Sequence, residues 1–289
     1  MMYHNAREVL RYCHESDLPL HQFSLDAECQ STGKSPEEIR SYLREVLVTM
    51  FEAVALGLDE AHSEIKGKII GDDGIKLRHR QSPICGETIS KAASYALSTM
   101  KVNAGMGRIV ASPTAGSCGV LPAVLKTLHE QLSLTEDDLI DGLLTANIIG
   151  SIVARNATIS GAEGGCQAEV GTASAMSAGA AVYLAGGSPE QVFHAGAMAF
   201  KNLLGLVCDP IAGLVESPCA KRNAMGATNA LLCAEMALAG IESIVPFDEV
   251  VEAMHRIGKV MPVALRETAL GGLAATPTAI QITTDLFEH

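Results

Sequence analysis

Apolar residues recur at helical spacing along most of this chain, and almost nowhere do they alternate as a half-buried strand requires. Ser35-Pro36-Glu37-Glu38 combines an N-cap hydroxyl, a proline at the first helical position and a capping-box glutamate. Behind it Ile39, Leu43, Val46, Leu47, Met50 and Val54 fall on one face. Ser188-Pro189-Glu190-Gln191 repeats the start signal ahead of a helix expected over Val192–Leu206. Thr135-Glu136-Asp137-Asp138 opens another through Leu139, Leu143 and Ile148, and Asp248 is expected to cap one carrying Val251, Met254 and Ile257. Ile244-Val245 is too short to count as a strand. Ala173–Ala181, rich in Ala, Ser and Gly, suits helices whose backbones approach closely. The pattern predicts an all-α fold, a multi-helix domain with Gly- and Pro-marked loops. Gly67–Ser82 reads as an exposed connection, so a single domain over 1–289 is expected, with an N-terminal helical portion at 1–66 and a core at 67–289.

Composition sharpens this picture. With 4% aromatic residues and no Trp, the core must be filled by aliphatics, Met and tight helix contacts; 48% hydrophobic and 19% charged residues mark a folded chain. The balance of 21 basic against 33 acidic residues gives −12, which argues against nucleic-acid or anionic-membrane binding. No run approaches the ~20 apolar residues of a membrane helix; Leu143–Ala154 is broken by Asn147, Gly150 and Ser151. Met1-Met2-Tyr3-His4-Asn5 lacks a signal pattern, and eight cysteines are too sparse for a disulfide scaffold. A reducing cytoplasm is the expected compartment.

In that compartment cysteines in turns point to metal or catalysis more than to bridges. Cys166 ends Gly161-Ala162-Glu163-Gly164-Gly165-Cys166, Cys208 sits in Val207-Cys208-Asp209-Pro210, and Cys219 follows Ser217-Pro218. No Cys-x-x-Cys pair is present. Spacing alone therefore leaves open whether these are ligands from three loops or unrelated thiols. Three thiolates would leave a cubane cluster one protein ligand short, and an open iron suits dehydration, because it weakens a C–O bond as a Lewis acid.

A second segment, Ala111-Ser112-Pro113-Thr114-Ala115-Gly116-Ser117-Cys118-Gly119, leads into the apolar run Val120–Leu128. Its backbone N–H groups could receive a carboxylate or phosphate. The same residues serve as ordinary helix caps, and the pattern by itself favours that plainer role. Cys118 reads as packed. After Cys219, Lys221 or Arg222 could offset cluster charge or hold a carboxylate, or simply form a solvated helical turn with Asn223. Glu163 and Gln167 flank Cys166 and could orient an ammonium group or lie at the surface. None of the nine histidines sits in a glycine-rich segment; His194 reads as a satisfied core residue and His79 as exposed.

Together these segments resemble the α chain of bacterial iron–sulfur-dependent L-serine dehydratase (L-serine ammonia-lyase). The match is carried by Ala111–Gly119, by Ser160-Gly161-Ala162-Glu163-Gly164-Gly165-Cys166-Gln167-Ala168-Glu169-Val170-Gly171, and by Cys208-Asp209-Pro210-Ile211-Ala212-Gly213. Pro218-Cys219-Ala220-Lys221-Arg222-Asn223-Ala224 and Arg266-Glu267-Thr268-Ala269-Leu270-Gly271-Gly272-Leu273-Ala274 complete it, so that it is dense over about residues 80–275.

The resemblance implies a [4Fe–4S] cluster on Cys166, Cys208 and Cys219, no pyridoxal phosphate, and conversion of L-serine to pyruvate and ammonia in the cytoplasm. It implies that Ser112, Thr114, Gly116, Ser117, Glu163, Arg222 and Asn223 bind or orient substrate, the loop at Ser112–Ser117 receiving the carboxylate. Single-chain relatives carry an N-terminal domain with a Gly-His-Thr-Asp type segment that brings the base. No such segment is present here, so a separate β chain is the expected partner, within a larger oligomer if one forms. Some relatives end in a cysteine that caps the open iron; Ala275–His289 contains none. Two competing readings are a pyridoxal-phosphate lyase using Lys91 and a non-catalytic iron–sulfur sensor or binding subunit.

Overall fold

Capping chemistry sets where the longest helices begin. In a computed structural model, which describes residues 3–287, Ser35 and Glu38 form a complete capping box, as do Thr135 with Asp138 and Ser188 with Gln191. Met1, Met2, Glu288 and His289, the ends of the two terminal segments discussed above, lie outside the described residues. In chain order the helices are α1 (Ala6–Ser16), α2 (Leu20–Thr32), α3 (Pro36–Leu58), α4 (Asp73–Arg78), α5 (Gly86–Ala104), α6 (Val120–Leu132) and α7 (Glu136–Asn156). They continue with α8 (Gly161–Gly164), α9 (Cys166–Leu184), α10 (Pro189–Lys201), α11 (Cys219–Leu238), α12 (Phe247–Val260) and α13 (Pro277–Phe287). The all-α expectation is met. Among the described residues the pairing of β type is one isolated parallel bridge, between Cys208 and Arg266. No helix among them is long and apolar enough to cross a membrane.

The central element is α9, surrounded by α6, α7, α10 and α11. From Cys166 to Val182 nearly every residue is buried, so the helix has no solvent face. Small side chains make this possible. A Cβ at Gly179 would fall 2.2 Å from Ile149 Cδ1 of α7, and one at Gly171 would fall 3.2 Å from the Phe200 ring of α10. The hydroxyls this composition buries are satisfied by backbone: Ser177 donates to the Ala173 carbonyl at 2.7 Å and Ser174 to that of Gly226 at 2.8 Å. One cluster of buried apolar residues runs through the structure from Tyr3 to Met254.

Three expectations change in detail. The α10 helix stops at Lys201, short of Leu206, because the chain turns through Asn202–Gly205 and Gly205 takes a φ of +83°. That turn leads directly to Cys208. Asp248 lies inside α12, whose N-cap is Pro246; its carboxylate instead accepts the backbone N–H of Ala6 at 2.7 Å and of Arg7 at 3.3 Å, holding the start of α1. The segment Gly67–Ser82 is less open than its composition suggests. It contains α4, and the buried Glu216 carboxylate accepts the N–H groups of Lys68, Ile69 and Ile70 at 3.0, 2.6 and 3.0 Å.

Candidate active site

Three loops deliver the three cysteines. Cys166 opens α9 behind Gly165, whose φ of +78° is open to glycine, and whose missing Cβ would sit 2.8 Å from the Leu206 carbonyl. Cys208 is held on both sides by the Arg266 segment: its N–H donates to Leu265 O at 2.9 Å, and Glu267 N–H donates to Cys208 O at 2.7 Å. The adjoining Asp209 carboxylate accepts the Leu273 N–H at 2.7 Å. Cys219 begins α11 immediately after the cis Ser217-Pro218 bond.

All three thiols are free and buried. Burial pushes Cys166 and Cys219 up to about 12 and raises Cys208 as well. Cys208 is raised further by charge on Cys166 and Cys219, and Cys166 by charge on Cys219, so the trio lies within mutual electrostatic reach. Arg222 acts the other way on Cys166 and Cys219. Among the described residues no three His, Cys, Asp or Glu side chains gather tightly enough to hold a single metal ion. An iron–sulfur cluster would draw on soft thiolate donors and not on a compact ligand set around one ion. Three free soft donors from three loops, with a guanidinium nearby, fit that demand.

The Ser112–Gly119 loop sits beside Cys219. Its Ser112-Pro113 bond is cis, and Ala115–Ser117 forms a short 3₁₀ turn opened by Thr114. Thr114 Oγ1 and Ser117 Oγ are 3.1 Å apart. The fully buried Asn223 joins this loop to α11. Its Oδ1 accepts Gly119 N–H at 2.9 Å, while Nδ2 donates to Gly116 O at 2.7 Å and to Cys219 O at 2.9 Å. Ser112 is placed differently: its buried hydroxyl has no hydrogen-bond partner among the described residues, and it lines an apolar cavity of about 460 Å³ with Leu121, Leu143 and Met176. Cys118 is fully buried against Met100.

Of the two cations after Cys219, the structure brings Arg222 to the site. Arg222 pairs with buried Asp209 at 2.8 Å and donates to Val207 O at 2.8 Å, whereas Lys221 reaches out to Asp73 at 2.6 Å. Gln167 is fully engaged with backbone, donating to Gly164 O and Met254 O and accepting from Gly205 N–H, so it orients no ligand. Glu163 is exposed and lines an open cavity of about 600 Å³ together with Lys259, Arg266 and Glu267. Lys91 pairs with Glu130 and lines a different cavity, among residues of α4, α5 and the turn between them. His194 accepts the Ser243 N–H, and exposed His79 pairs with Glu60.

One functional candidate went unread in the sequence. Glu169, one turn after Cys166, accepts the Thr114 hydroxyl at 2.8 Å, and burial raises its carboxyl above the usual range. Its place inside the Cys166 motif was the available signal, but a first-turn glutamate is such a common helix feature that nothing set it apart.

A family profile described as "Serine dehydratase alpha chain" matches residues 15–274. The probable L-serine dehydratase alpha chain of Bacillus subtilis (strain 168) is 47% identical over 289 residues, covering 99% of this chain and 96% of that one. The chain belongs to the serine dehydratase alpha-chain family. The L-serine dehydratase alpha chain of Peptoniphilus asaccharolyticus is 44% identical over 293 residues, covering 100% of this chain and 99% of that one. L-serine dehydratase 1 of Escherichia coli (strain K12) is 36% identical over 284 residues, which span 93% of this chain and 61% of the longer protein. The family match contains all three cysteines, the Ser112–Gly119 loop and the Arg266 segment.

Proposed function

We propose that this chain is the α subunit of a cytoplasmic L-serine dehydratase that converts L-serine to pyruvate and ammonia, using a [4Fe–4S] cluster on Cys166, Cys208 and Cys219 and no pyridoxal phosphate. One observation carries the reading: three free, buried thiols stand on segments tied to one another, since the Gln167 N–H beside Cys166 donates to Leu206 O at 3.0 Å, and Arg222, one turn after Cys219, donates to Val207 O and pairs with Asp209 on either side of Cys208. When bound, such a cluster supplies a Lewis-acidic iron that assists departure of the substrate hydroxyl.

The chain's own residues then have distinct tasks. Thr114, Gly116 and Ser117 present the loop that takes the substrate carboxylate, with Ser112 at its start facing the apolar cavity. Asn223 holds that loop against the Cys219 end of α11 through hydrogen bonds of 2.7 to 2.9 Å. Arg222, fixed by Asp209, offsets thiolate charge without leaving its own carboxylate. Glu163 lines the open cavity beside the Arg266 segment that holds Cys208. Loss of the α-proton and the hydroxyl yields an aminoacrylate, which tautomerises to an imine and is hydrolysed to pyruvate and ammonia.

The base that takes the α-proton is assigned to a separate β chain. Two observations support that partner: the relatives matched end to end are named alpha chains, and the longer relative from Escherichia coli extends well beyond the shared region. Anaerobic reconstitution with iron and sulfide, with and without a β chain, tests the reading. Broad iron–sulfur absorbance on this chain alone, and pyruvate release on adding the β chain, are expected. Full cluster occupancy without serine deamination by the pair would overturn it in favour of a binding or sensing subunit.

A further inference from the structure

Glu169 has no task in that scheme, yet it stands between the Thr114 loop and the Cys208 side of the site. It is half-buried on the first turn of α9, and its Oε1 accepts the Thr114 hydroxyl at 2.8 Å. Among the described residues no Lys, Arg or His forms an ion pair with it, and the charges around it are of like sign: Glu267 raises its carboxyl, and its own charge raises Cys166, Cys208 and Cys219. The nearby cation, Arg222, is already committed to Asp209 and to Val207 O.

Two glycines keep the face of this carboxylate clear. A Cβ at Gly161 would fall 2.6 Å from Glu169 Oε2 and 3.1 Å from Cys208 Sγ, wedged between the two. A Cβ at Gly116 would fall 3.3 Å from both carboxylate oxygens. Any side chain at either position would press on Glu169, and one at Gly161 would also separate it from the thiol. Partly burying a carboxylate without a counter-ion is unfavourable, and the balance is restored when a cation arrives. The Thr114 hydrogen bond ties that carboxylate to the loop assigned to the substrate carboxylate. An α-amino acid carries its ammonium and carboxylate on one carbon, so both charges find partners in adjacent groups of one protein surface.

We infer that Glu169 receives the α-ammonium of the substrate, making this site selective for zwitterionic α-amino acids over β-hydroxy acids that lack the amine. The inference rests on the functional reading above. It is tested on the cluster-loaded α chain with its β chain, by comparing KM for L-serine with the inhibition constant of 3-hydroxypropionate, which is serine without its amine. Glu169→Gln should raise KM for serine by roughly 10- to 100-fold, as expected for losing a charge-assisted hydrogen bond. Affinity for 3-hydroxypropionate should hold or improve, iron and sulfide content should match wild type, and Glu169→Asp should recover part of the loss.

Equal weakening of both ligands would make Glu169 a support for the loop and overturn the assignment, as would an unchanged KM. Cluster loss in E169Q and E169D alike would also overturn it, by placing Glu169 in the cluster's support. A wild-type pair that carries a full cluster but does not deaminate serine removes the functional reading and this assignment with it. Normal wild-type turnover with an unselective E169Q removes only the assignment.

Discussion

Replacing Asn223 with alanine isolates what holds the substrate loop against α11. Three hydrogen bonds vanish at once, from Gly119 N–H, to Gly116 O and to Cys219 O. They are not equivalent. Cys219 O keeps its helical partner, the Asn223 N–H, and Gly116 is partly exposed and regains water. Gly119 is buried, so its N–H loses its partner away from bulk water. Leaving one buried donor unmet costs about 1–3 kcal/mol and the remaining bond about 1, giving roughly 2–4 kcal/mol together. At about 2 °C per kcal/mol for a chain of this size, Tm should fall by about 4–8 °C. Differential scanning calorimetry of the metal-free chain reads that shift without interference from the cluster. In the reconstituted pair, KM for serine should rise more than kcat falls, because the loop is displaced while the thiols stay. A variant melting within about 1 °C of wild type, under ~0.5 kcal/mol on the same scale, would show that Asn223 is not the staple described here.

Other outcomes follow from the same geometry. Cys166→Ser, Cys208→Ser and Cys219→Ser should each abolish cluster loading, read as iron and sulfide content, whereas serine at Cys13, Cys29 or Cys233 should leave loading intact; retention in any of the first three refutes the ligand set. Gly57→Ala places a Cβ 2.1 Å from the Ser98 carbonyl of the facing helix, so α3 and α5 must separate. Overpacking of about 1–3 kcal/mol should outweigh the ~1 kcal/mol helix gain of alanine, and a raised Tm would contradict the close contact. Burial holds His21 below its ordinary 6.5, although Asp141 pulls it up, and its Nδ1 meets the Tyr183 hydroxyl at 2.7 Å. The unfolded ring therefore takes a proton before the folded one, so this contribution is complete above about pH 6.5 and is lost as pH falls below it. His21→Gln should shrink the drop in Tm between about pH 7.5 and about pH 5.5; an unchanged drop excludes His21 as its source.

What was legible in the sequence tracks the range of the interactions involved. The boxes at Ser35, Thr135 and Ser188 were readable because cap and partner lie within one turn. Asp248 carried the same signal, yet its carboxylate serves α1, whose start is brought to it only by packing. Gln167 and Glu169 look alike as polar residues in the first turn of a helix. Folding buries the first among backbone groups and sets the second beside Thr114 and the Cys208 loop. Lys221 and Arg222 are neighbours in sequence, and the rotation of α11 sends one to Asp73 and the other to Asp209.

By itself, the sequence determined helicity, the helix starts at Ser35, Thr135 and Ser188 and a core of small residues around Ala173–Ala181, since these depend on contacts within a few residues and on side-chain volume. It also determined, through long motifs, the resemblance that picks out the three cysteines. Only the tertiary structure decided which charges face those thiols. That choice depends on how each helix is rotated against α9 and on where glycines let one loop approach another, and no local pattern encodes either.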